Sequence, residues 1–271
     1  MGDAVAAAFE AAGWAVRGAD RVAGRRTSVV GDLRDSPVRK AALRGADVVV
    51  HAAALHAPHV GRVGDAEFRA VNVDATAALA GEAERAGVGR FVYVSSTSVY
   101  GHALVPDRQA VWVDESLTPL PRDIYDETKL AAERLVASSR TPWVVLRIAR
   151  CFPEPLPVLA THLLHRAVGL ADVASATVRA ATHLNAVSGT FNIAGPYAFT
   201  RADCAALHHD APAVIAERLP EVAAAFHARG WPLPLSIDRV YDSGAAAAAF
   251  GYRPAHGIHH LLGGLTGPGP R

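Results

Sequence analysis

The sequence predicts an α/β protein with a doubly wound parallel sheet and a small, partly helical C-terminal lobe. Strand-like and helix-like patterns alternate through the first 150 residues, as successive β-α-β units require. Two strand-like segments, residues 47–51 and 90–95, are nearly continuous apolar runs, which is typical of parallel strands buried on both faces. After Cys151 the alternation loosens. We therefore assign the sheet to residues 1–150, and a mixed region that includes the lobe to residues 151–271.

The elements of residues 1–150 follow from periodicity and from residues that start or stop helices. Val5 and Phe9 recur at helical spacing and Gly13 follows as a stop signal, which predicts that the first helix ends at residue 12. Ser36 and Pro37 are typical of an N-cap and of the first helical position, so a second helix is predicted to begin there. Helices are predicted over residues 3–12, 36–45, 75–86 and 124–139, and strands over residues 14–19, 27–30, 47–51, 90–95 and 143–147.

The mixed region is predicted to contain more helix than strand. The proline-rich segment 152–157 is predicted to be extended, and residues 190–193 to form a short strand. Helices are predicted over residues 172–184, over 213–230 with an interruption at Pro220, and over 257–262. We expect the lobe to lie over the carboxyl edge of the sheet.

Composition and charge exclude several classes of protein. Hydrophobic residues make up 51% of the chain and charged residues 20%, which argues against a disordered or fibrous protein. The net charge of +1 gives no field to attract nucleic acid or an anionic membrane. The sequence has no apolar run long enough to span a bilayer, and its start lacks the basic segment of a signal peptide. Cys151 and Cys204 have neither a disulfide framework nor zinc spacing, so we expect a reduced, cytoplasmic protein without a metal.

Tyr125 and Lys129 stand four residues apart at the start of a predicted helix. This spacing places both on one helix face, where the ammonium group can act on the phenol. Lowering a tyrosine pKa from about 10 to about 7 takes roughly 4 kcal/mol, which a fixed positive charge in a poorly solvated cleft can supply. Such a tyrosine can accept a proton from a substrate hydroxyl as hydride leaves its carbon. The spacing also occurs on ordinary amphipathic helices, but only two of the 27 basic residues are lysines, which favours the functional interpretation.

A run of hydroxyl residues follows the predicted strand 90–95, in Tyr93-Val-Ser-Ser-Thr-Ser-Val-Tyr-Gly101. Doubly wound sheets bind their ligands at the carboxyl ends of strands. Ser96 is predicted to hydrogen-bond the same substrate oxygen that Tyr125 titrates. The alternative is that these serines belong to an ordinary loop. A serine hydrolase is not favoured, because the sequence has no GxSxG motif.

Taken together, these motifs closely resemble the extended short-chain dehydrogenase/reductases, the NAD-dependent epimerase/dehydratase family. The resemblance covers about residues 2–200, continues loosely to Gly251-Tyr-Arg-Pro254, and implies a Rossmann-like dinucleotide-binding domain over residues 1–150. It implies that Ser96, Tyr125 and Lys129 form a catalytic triad, in which Lys129 also bonds the nicotinamide ribose. Besides residues 91–101 and 125–133, the matching motifs are Gly31-Asp-Leu-Arg-Asp35, Val50-His-Ala-Ala-Ala54, Asn72-Val-Asp-Ala-Thr76, Val145-Leu-Arg147 and Asp172-Val-Ala174.

The resemblance also implies where the cofactor binds. Asp20 matches the acid that bonds the adenine ribose, and an acid at this position favours NAD over NADP. The neighbouring Arg21, Arg25 and Arg26 weaken this preference. The other residues that match the cofactor site are Asp32 and Leu33 of the adenine pocket, Ala52, Ala53 and Ala54 of the lining backbone, and Asn72 beside the cleft.

At its start the sequence departs from the family pattern. It begins with Met1-Gly2-Asp3, within the predicted first helix, so it lacks the family's first strand and most of the GxxGxxG loop. Gly2 matches at best the last of the three glycines. That strand is central in a 3-2-1-4-5-6 sheet, and its neighbours are expected to have unpaired backbone groups. We therefore expect a Rossmann-like, N-terminally truncated sheet with weak cofactor binding, because the pyrophosphate loses most of its backbone donors. Either the natural start lies upstream, or the chain is a degenerate member with impaired cofactor binding.

Six residues are candidates for substrate contact. His56 and His59 lie on the loop after the third predicted strand, where they could also serve as acid/base groups. Without a third ligand they do not predict a metal site. Only about 25 residues separate Arg147 from Asp172, which argues against a UDP- or dTDP-sugar substrate. The remaining candidates are Thr97, Ser98 and Arg150, with Arg239 from the second lobe.

We therefore predict an NAD(P)-dependent oxidoreductase that transfers a hydride at a carbinol carbon of a sugar-like or other small hydroxylated substrate. Epimerisation, dehydration and dehydrogenation begin with the same hydride step, so the sequence does not distinguish them. The alternative is a degenerate member that acts as a binding or regulatory module. The resemblance further implies a homodimer formed by two helices, here residues 75–86 and 124–139.

Overall fold

A computed structural model describes residues 1–183 and 188–266 of the chain. The described residues contain eight strands: β1 (Gly18–Asp20), β2 (Thr27–Val30), β3 (Val48–His51), β4 (Arg90–Ser96), β5 (Val111–Val113), β6 (Trp143–Ile148), β7 (Gly189–Ile193) and β8 (Arg239–Tyr241). The α-helices are α1 (Gly2–Ala11), α2 (Ser36–Leu43), α3 (Asp65–Arg69), α4 (Ala75–Arg85), α5 (Ile124–Ala137), α6 (Leu156–His162), α7 (Leu170–Thr182), α8 (Cys204–His209), α9 (Ala211–Arg218), α10 (Pro220–Ala228), α11 (Gly244–Phe250) and α12 (Ile258–Thr266).

The central sheet has four parallel strands in the order β3-β4-β6-β7. Strands β1 and β2 form a separate parallel pair, and so do β5 and β8. Within the described residues β1 pairs with β2 alone, and β3 pairs with β4 alone. In this arrangement β4 and β6 are the two strands with a hydrogen-bonded neighbour on each side.

Helices cover both faces of the central sheet, which confirms the predicted doubly wound plan. Val92 and Val94 of β4 point to one face, where they pack in a core that also contains Val5 of α1 and Ala176 of α7. The alternate residues of β4, which include Tyr93, point to the other face and pack against α4 and α5. The carboxyl end of β4 therefore lies between two helical layers.

The C-terminal lobe has its own hydrophobic core. Leu164, Leu207, Ile215 and Phe226 are fully or almost fully buried there. Helices α6, α8, α9, α10 and α12 contribute to this core, together with β8. The predicted break at Pro220 is confirmed, because α9 ends at Arg218 and α10 begins at Pro220.

Three predictions about the first 50 residues were wrong in detail. The strand predicted over 14–19 is reduced to β1, since Trp14 and Val16 precede the residues that pair with β2 and are exposed. Asp35 rather than Ser36 is the N-cap of α2, because the Ser36 hydroxyl donates to Glu82. The three valines of β3 are half-buried rather than buried on both faces, since this strand is paired along one edge in the described part of the chain.

Elsewhere most of the predicted elements are confirmed, with ends displaced by at most four residues. The predicted last residue of α7, Leu184, lies outside the described residues. The extended segment predicted over 152–157 ends early, because α6 begins at Leu156. The sequence analysis missed α3, α6, α8 and α11, and the two strands of the β5-β8 pair.

No helix in residues 1–183 or 188–266 is both long and apolar enough to cross a membrane.

Candidate active site

Tyr125 and Ser96 meet at the carboxyl end of β4. Ser96 is the last residue of β4. Tyr125 lies in the first turn of α5, where the Asp123 carboxylate caps the helix by accepting a hydrogen bond from the Asp126 N–H at 3.0 Å. The Ser96 hydroxyl lies near enough to the Tyr125 phenol to lower its pKa by hydrogen bonding. The structure thus brings together two of the three predicted catalytic side chains.

Burial, rather than a nearby cation, dominates the pKa of Tyr125. Removal of the phenol from water raises its pKa to about 12, and the hydrogen bond from Ser96 only partly opposes this change. The expectation that Lys129 lowers the pKa of Tyr125 is not met in this structure. The reason is that the Lys129 ammonium group is engaged elsewhere.

Lys129 is buried against β4, with 2% of its surface exposed. Its Nζ atom donates a hydrogen bond to the Val94 carbonyl at 2.7 Å and lies 4.1 Å from the centroid of the Tyr93 ring. Burial lowers the pKa of Lys129 to about 7, while the negative charge of Glu133 opposes this change. The protonation of Lys129 is therefore sensitive to small changes near neutral pH.

A buried ion pair lies one helical turn beyond Lys129. The Glu133 carboxylate accepts hydrogen bonds from Arg147 Nη2 at 2.7 Å and from Arg147 Nε at 3.1 Å. It also accepts a hydrogen bond from the Ser95 hydroxyl at 2.5 Å. The Arg147 guanidinium lies over the ring of Tyr100, 4.9 Å from its centroid. The sequence analysis used Glu133 and Arg147 only as motif residues and assigned them no role.

Asn72 is placed by a π-helical turn, Ala70–Asp74, that joins α3 to α4. Its side-chain carbonyl accepts a hydrogen bond from the Leu55 N–H at 2.7 Å, and its amide group donates to the Leu55 carbonyl and to the Thr128 hydroxyl. Asn72 therefore connects the loop after β3 to α5. The π-helical turn, a feature that occurs frequently at functional sites, has no signal in the hydrophobic pattern.

The loop after β3 carries His56 beside Tyr125, and the two ring centroids are 6.4 Å apart. The His56 N–H donates to His59 Nδ1 at 3.0 Å, which fixes the turn. Desolvation lowers the pKa of His56, and the charges of Lys129 and His59 lower it further. His56 thus faces the same space as Tyr125, as expected for a substrate contact.

The other predicted hydroxyl residues, Thr97 and Ser98, have mainly structural partners. Thr97 is buried. The Ser98 hydroxyl donates to the Asp126 carboxylate, and its N–H donates to Ser96 Oγ at 3.1 Å. These bonds fix the turn after β4.

The predicted cofactor residues follow the strands of the β1-β2 pair and β3 of the central sheet. Asp20 ends β1 and is exposed, and its carboxylate accepts a hydrogen bond from the Val22 N–H at 3.0 Å. Arg34 holds the pKa of Asp32 below its usual range. Arg26 is bound by Asp3 and Glu10, which removes one of the arginines that could favour NADP. The remaining predicted residues are Arg21, which is exposed, and Leu33, Ala52, Ala53 and Ala54, which are half-buried or exposed.

A cationic cluster lies behind the carboxyl end of β6. The Arg150 N–H donates to the Arg166 carbonyl at 3.0 Å, and the Arg150 guanidinium pairs with Glu154. Arg239 pairs with Asp238 and is mostly buried, with 16% of its side chain exposed. His162 contacts Arg166, and its pKa is lowered to about 4 by burial and by nearby arginines. The cluster combines three arginines with two carboxylates.

Several donors in this cluster have no hydrogen-bond partner. In the part of the chain that the structure describes, five buried side-chain atoms lack a partner, and three of them belong to the cluster: His162 Nδ1, Arg166 Nε and Arg239 Nε. Unpaired buried donors are unfavourable unless a ligand binds them. The sequence analysis included Arg150 and Arg239 but missed His162 and Arg166, whose positions near Arg239 depend on a contact between distant segments.

Comparisons with known proteins agree with this geometry. A family model described as the NAD dependent epimerase/dehydratase family matches residues 1–153. A 3 beta-hydroxysteroid dehydrogenase/Delta 5-->4-isomerase of Mycobacterium tuberculosis is 40% identical over 112 residues, which are 39% of this chain and 29% of that protein. A dTDP-glucose 4,6-dehydratase of Streptomyces antibioticus is 35% identical over 153 residues, which are 51% of this chain and 43% of that protein. The match thus spans less than half of either relative.

Solved structures resemble the chain over almost its whole length. A short-chain dehydrogenase/reductase superfamily protein from Agrobacterium tumefaciens, crystallised with NAD, has a TM-score of 0.72 and 22% identity. MoeE5, in complex with UDP-glucose and NAD, has a TM-score of 0.69 and 23% identity. Each comparison covers 97% of this chain and 92% of the other. At this level of identity the likeness concerns the fold.

Proposed function

The chain belongs to the NAD-dependent epimerase/dehydratase family, and on that basis we propose that it is an NAD-dependent oxidoreductase acting at a carbinol carbon of a small hydroxylated substrate. The observation that carries the proposal is the convergence of Ser96 and Tyr125 at the end of β4, with Lys129 one helical turn away. Relatives with dehydrogenase and dehydratase names support the same class of reaction.

The residues around the cleft fit NAD. Asp20 presents a carboxylate at the end of β1 that suits a ribose diol. The first turn of α1 has backbone N–H groups without helical partners, which suit a pyrophosphate. When bound, NAD supplies the acceptor for the hydride.

The protein residues have separate tasks in this proposal. Ser96 orients the substrate oxygen, and Tyr125 exchanges a proton with it. Because its pKa is raised to about 12, the free protein holds Tyr125 protonated, ready to donate a proton to a carbonyl oxygen. For the oxidative direction, a positive charge must enter the cleft and lower this pKa.

The cationic cluster supports an anionic substrate. Arg150, Arg166 and Arg239 face Glu154 and Asp238, and three donors of the cluster lack partners among the described residues. A phosphate or carboxylate can accept hydrogen bonds from several guanidinium groups at once. MoeE5 is described with UDP-glucose, a molecule that carries such an anion. We therefore expect a phosphorylated or carboxylated substrate.

The proposal is tested by replacing the phenol hydroxyl. We expect Tyr125→Phe to lower turnover by a factor of about 10²–10⁴, as for the loss of a general acid or base, while the fold is kept. The probes are UDP-glucose, dTDP-glucose and an uncharged sterol alcohol. Net dehydrogenation is followed by NAD reduction, and epimerisation or dehydration, which return the hydride to the substrate, by chromatography of the product. Circular dichroism and thermal unfolding provide the control for the fold.

Two outcomes would contradict the proposal. Turnover of Tyr125→Phe close to that of the unmodified protein would exclude the phenol as the proton donor. Weak or absent binding of NADH by calorimetry, without turnover of any probe, would favour the alternative of a degenerate member that acts as a binding or regulatory module.

The outer faces of α4 and α5 support a homodimer. Leu135 is 36% exposed on α5, and the half-buried Ala131 lies one turn before it on the same face. On α4, Ala77 and Gly81 are also half-buried and small. Small side chains allow close helix approach, so we propose that these two helices pack against those of a second copy.

A further inference from the structure

We propose that Glu133 is a positioning residue whose buried carboxylate, held by Arg147 and Ser95, keeps the ammonium group of Lys129 charged and in place. The role of Lys129 in turnover rests on the proposed function. The inference about the charge of Lys129 is independent of that function, because this charge can be measured without substrate or cofactor. The inference follows from the contacts of Glu133 in this chain.

Lys129 and Glu133 are fixed to consecutive residues of β4. Lys129 Nζ donates to the Val94 carbonyl at 2.7 Å, and Glu133 Oε1 accepts from the Ser95 hydroxyl at 2.5 Å. The two side chains lie four residues apart on α5, so they leave the same face of the helix. The ammonium group and the carboxylate therefore enter the interior side by side, at neighbouring positions along one strand.

Arg147 fixes the carboxylate from the other side. It lies on β6 directly opposite Ser95 and binds both oxygens of Glu133, with the shortest contact at 2.7 Å. Its guanidinium is itself held over Tyr100. Such two-point binding leaves Glu133 little freedom to rotate, so its charge remains at a constant distance from Lys129.

The other groups that face Lys129 do not supply a negative charge. From β3, His51 is neutral because burial lowers its pKa to about 3. From β4, Tyr93 holds its proton because burial raises its pKa. On α5, Tyr125 is likewise protonated, and on the loop after β3 the pKa of His56 is lowered by Lys129 itself. Glu133 is the carboxylate that acts on Lys129 from within this set.

A purely structural ion pair is the competing explanation. Arg147 and Glu133 join β6 to α5, and this alone could account for their burial. The two explanations differ in what happens to Lys129 when the charge of Glu133 is removed while its shape is kept. Glu133→Gln makes this change. If the pair is only structural, the variant should be less stable and the titration of Lys129 should not change. If Glu133 is a positioning residue, the titration of Lys129 should change.

The composition of the chain makes the measurement direct, because Lys40 and Lys129 are its two lysines. Lysine labelled with ¹³C at Cε gives one NMR signal from each. Lys40 is exposed on α2 and serves as the internal control. In the unmodified protein we expect the Lys129 signal to titrate near pH 7.

In Glu133→Gln we expect the Lys129 titration to move down by roughly one to two pH units, as for unit charges about 6 Å apart at an effective dielectric constant near 20. Lys40 should not change. In an active preparation, the loss of activity with rising pH should move to lower pH by the same amount. An unmoved Lys129 signal in a folded variant would overturn the proposal and leave the pair structural.

If Glu133→Gln does not fold, the unmodified protein still decides the matter. A Lys129 signal that is already neutral well below pH 6 would show that the carboxylate does not keep the ammonium group charged. Protonation of Lys129 maintained to pH 7 or above supports the proposal. Near-normal turnover in Tyr125→Phe, combined with the expected titration of Lys129, would count against the proposed function alone.

Discussion

The cluster behind the carboxyl end of β6 contains three arginines and buried donors without a hydrogen-bond partner. It has more donors than acceptors, which distinguishes it from ordinary surface arginines. Arg239 is mostly buried and has Asp238 as its carboxylate partner. Arg150 is more exposed and is paired with Glu154. An anion that enters the cluster can replace or share these carboxylates. The side chains therefore select for charge more than for shape.

For this cluster we expect Arg239→Gln to raise KM for an anionic substrate roughly tenfold to a hundredfold and to change kcat much less. The loss corresponds to one charge-assisted hydrogen bond of about 1.5–3 kcal/mol, made equally in ground and transition states. Arg150→Gln should act in the same direction. Calorimetry with inorganic diphosphate measures the effect without turnover.

Arg108 provides the matched control, because its side chain is 93% exposed. Arg108→Gln should leave KM and diphosphate binding unaltered. Equal losses in Arg108→Gln and Arg239→Gln would indicate a general effect of net charge and would remove the basis for a specific anion site.

The site could be predicted only in part. Tyr125 and Lys129 could be placed on one helix face, because that relation depends on local spacing. The partners of Lys129 could not, since Val94 and Tyr93 are 35 and 36 positions earlier in the chain and meet it only after the sheet forms. His162 and Arg166 were missed for the same reason.

Among the elements, the π-helical turn Ala70–Asp74 has the clearest structural task. Its buried Asn72 binds both backbone groups of Leu55 and the hydroxyl of Thr128. One side chain thus connects α4, the loop that carries His56, and α5. An ordinary α-helical turn would rotate this amide relative to the loop.

We expect Asn72→Ala to lower the free energy of unfolding by about 2–3 kcal/mol, because buried donors and acceptors lose their partners. Asp74→Ala, an exposed change in the same turn, should stay within about 0.5 kcal/mol. Urea unfolding of both variants measures the difference. Similar losses for the two would mean that the turn is sensitive to any substitution and that the Asn72 amide has no special role.

Helices and strands were predicted correctly where the local sequence pattern was sufficient. They were missed or misjudged where their length or burial depends on the strands that pair with them. Helix α5 and strands β4 and β6 were predicted nearly to their ends because their apolar patterns are continuous. Strands β5 and β8 are only three residues long, too short for a periodic signal. The burial of β3 was overestimated, because a sequence pattern does not reveal how many strands pair with it.

At the scale of the whole molecule, the outer faces of α4 and α5 lead to a prediction about assembly. We expect sedimentation equilibrium at tens of micromolar to give the mass of a dimer. Leu135→Glu should shift the equilibrium to monomer, because it places a charge in the proposed helix contact. Leu235→Glu is the control, since Leu235 is 82% exposed and lies in the C-terminal lobe. A monomer for the unmodified protein would exclude this interface.

The separation of the β1-β2 pair from the central sheet has a consequence for how the molecule opens. In the described residues this pair has no ladder of hydrogen bonds to β3. Instead, side chains attach the surrounding segment. Arg26 binds Asp3 and Glu10, and Arg34 binds Glu67, in partly exposed ion pairs, which are weak and are screened by salt. The Arg39–Glu82 pair is buried and holds α2 more firmly. Residues 14–34 thus form a unit of lower local stability, and we expect the adenine end of the candidate cofactor cleft to open while the catalytic end stays folded.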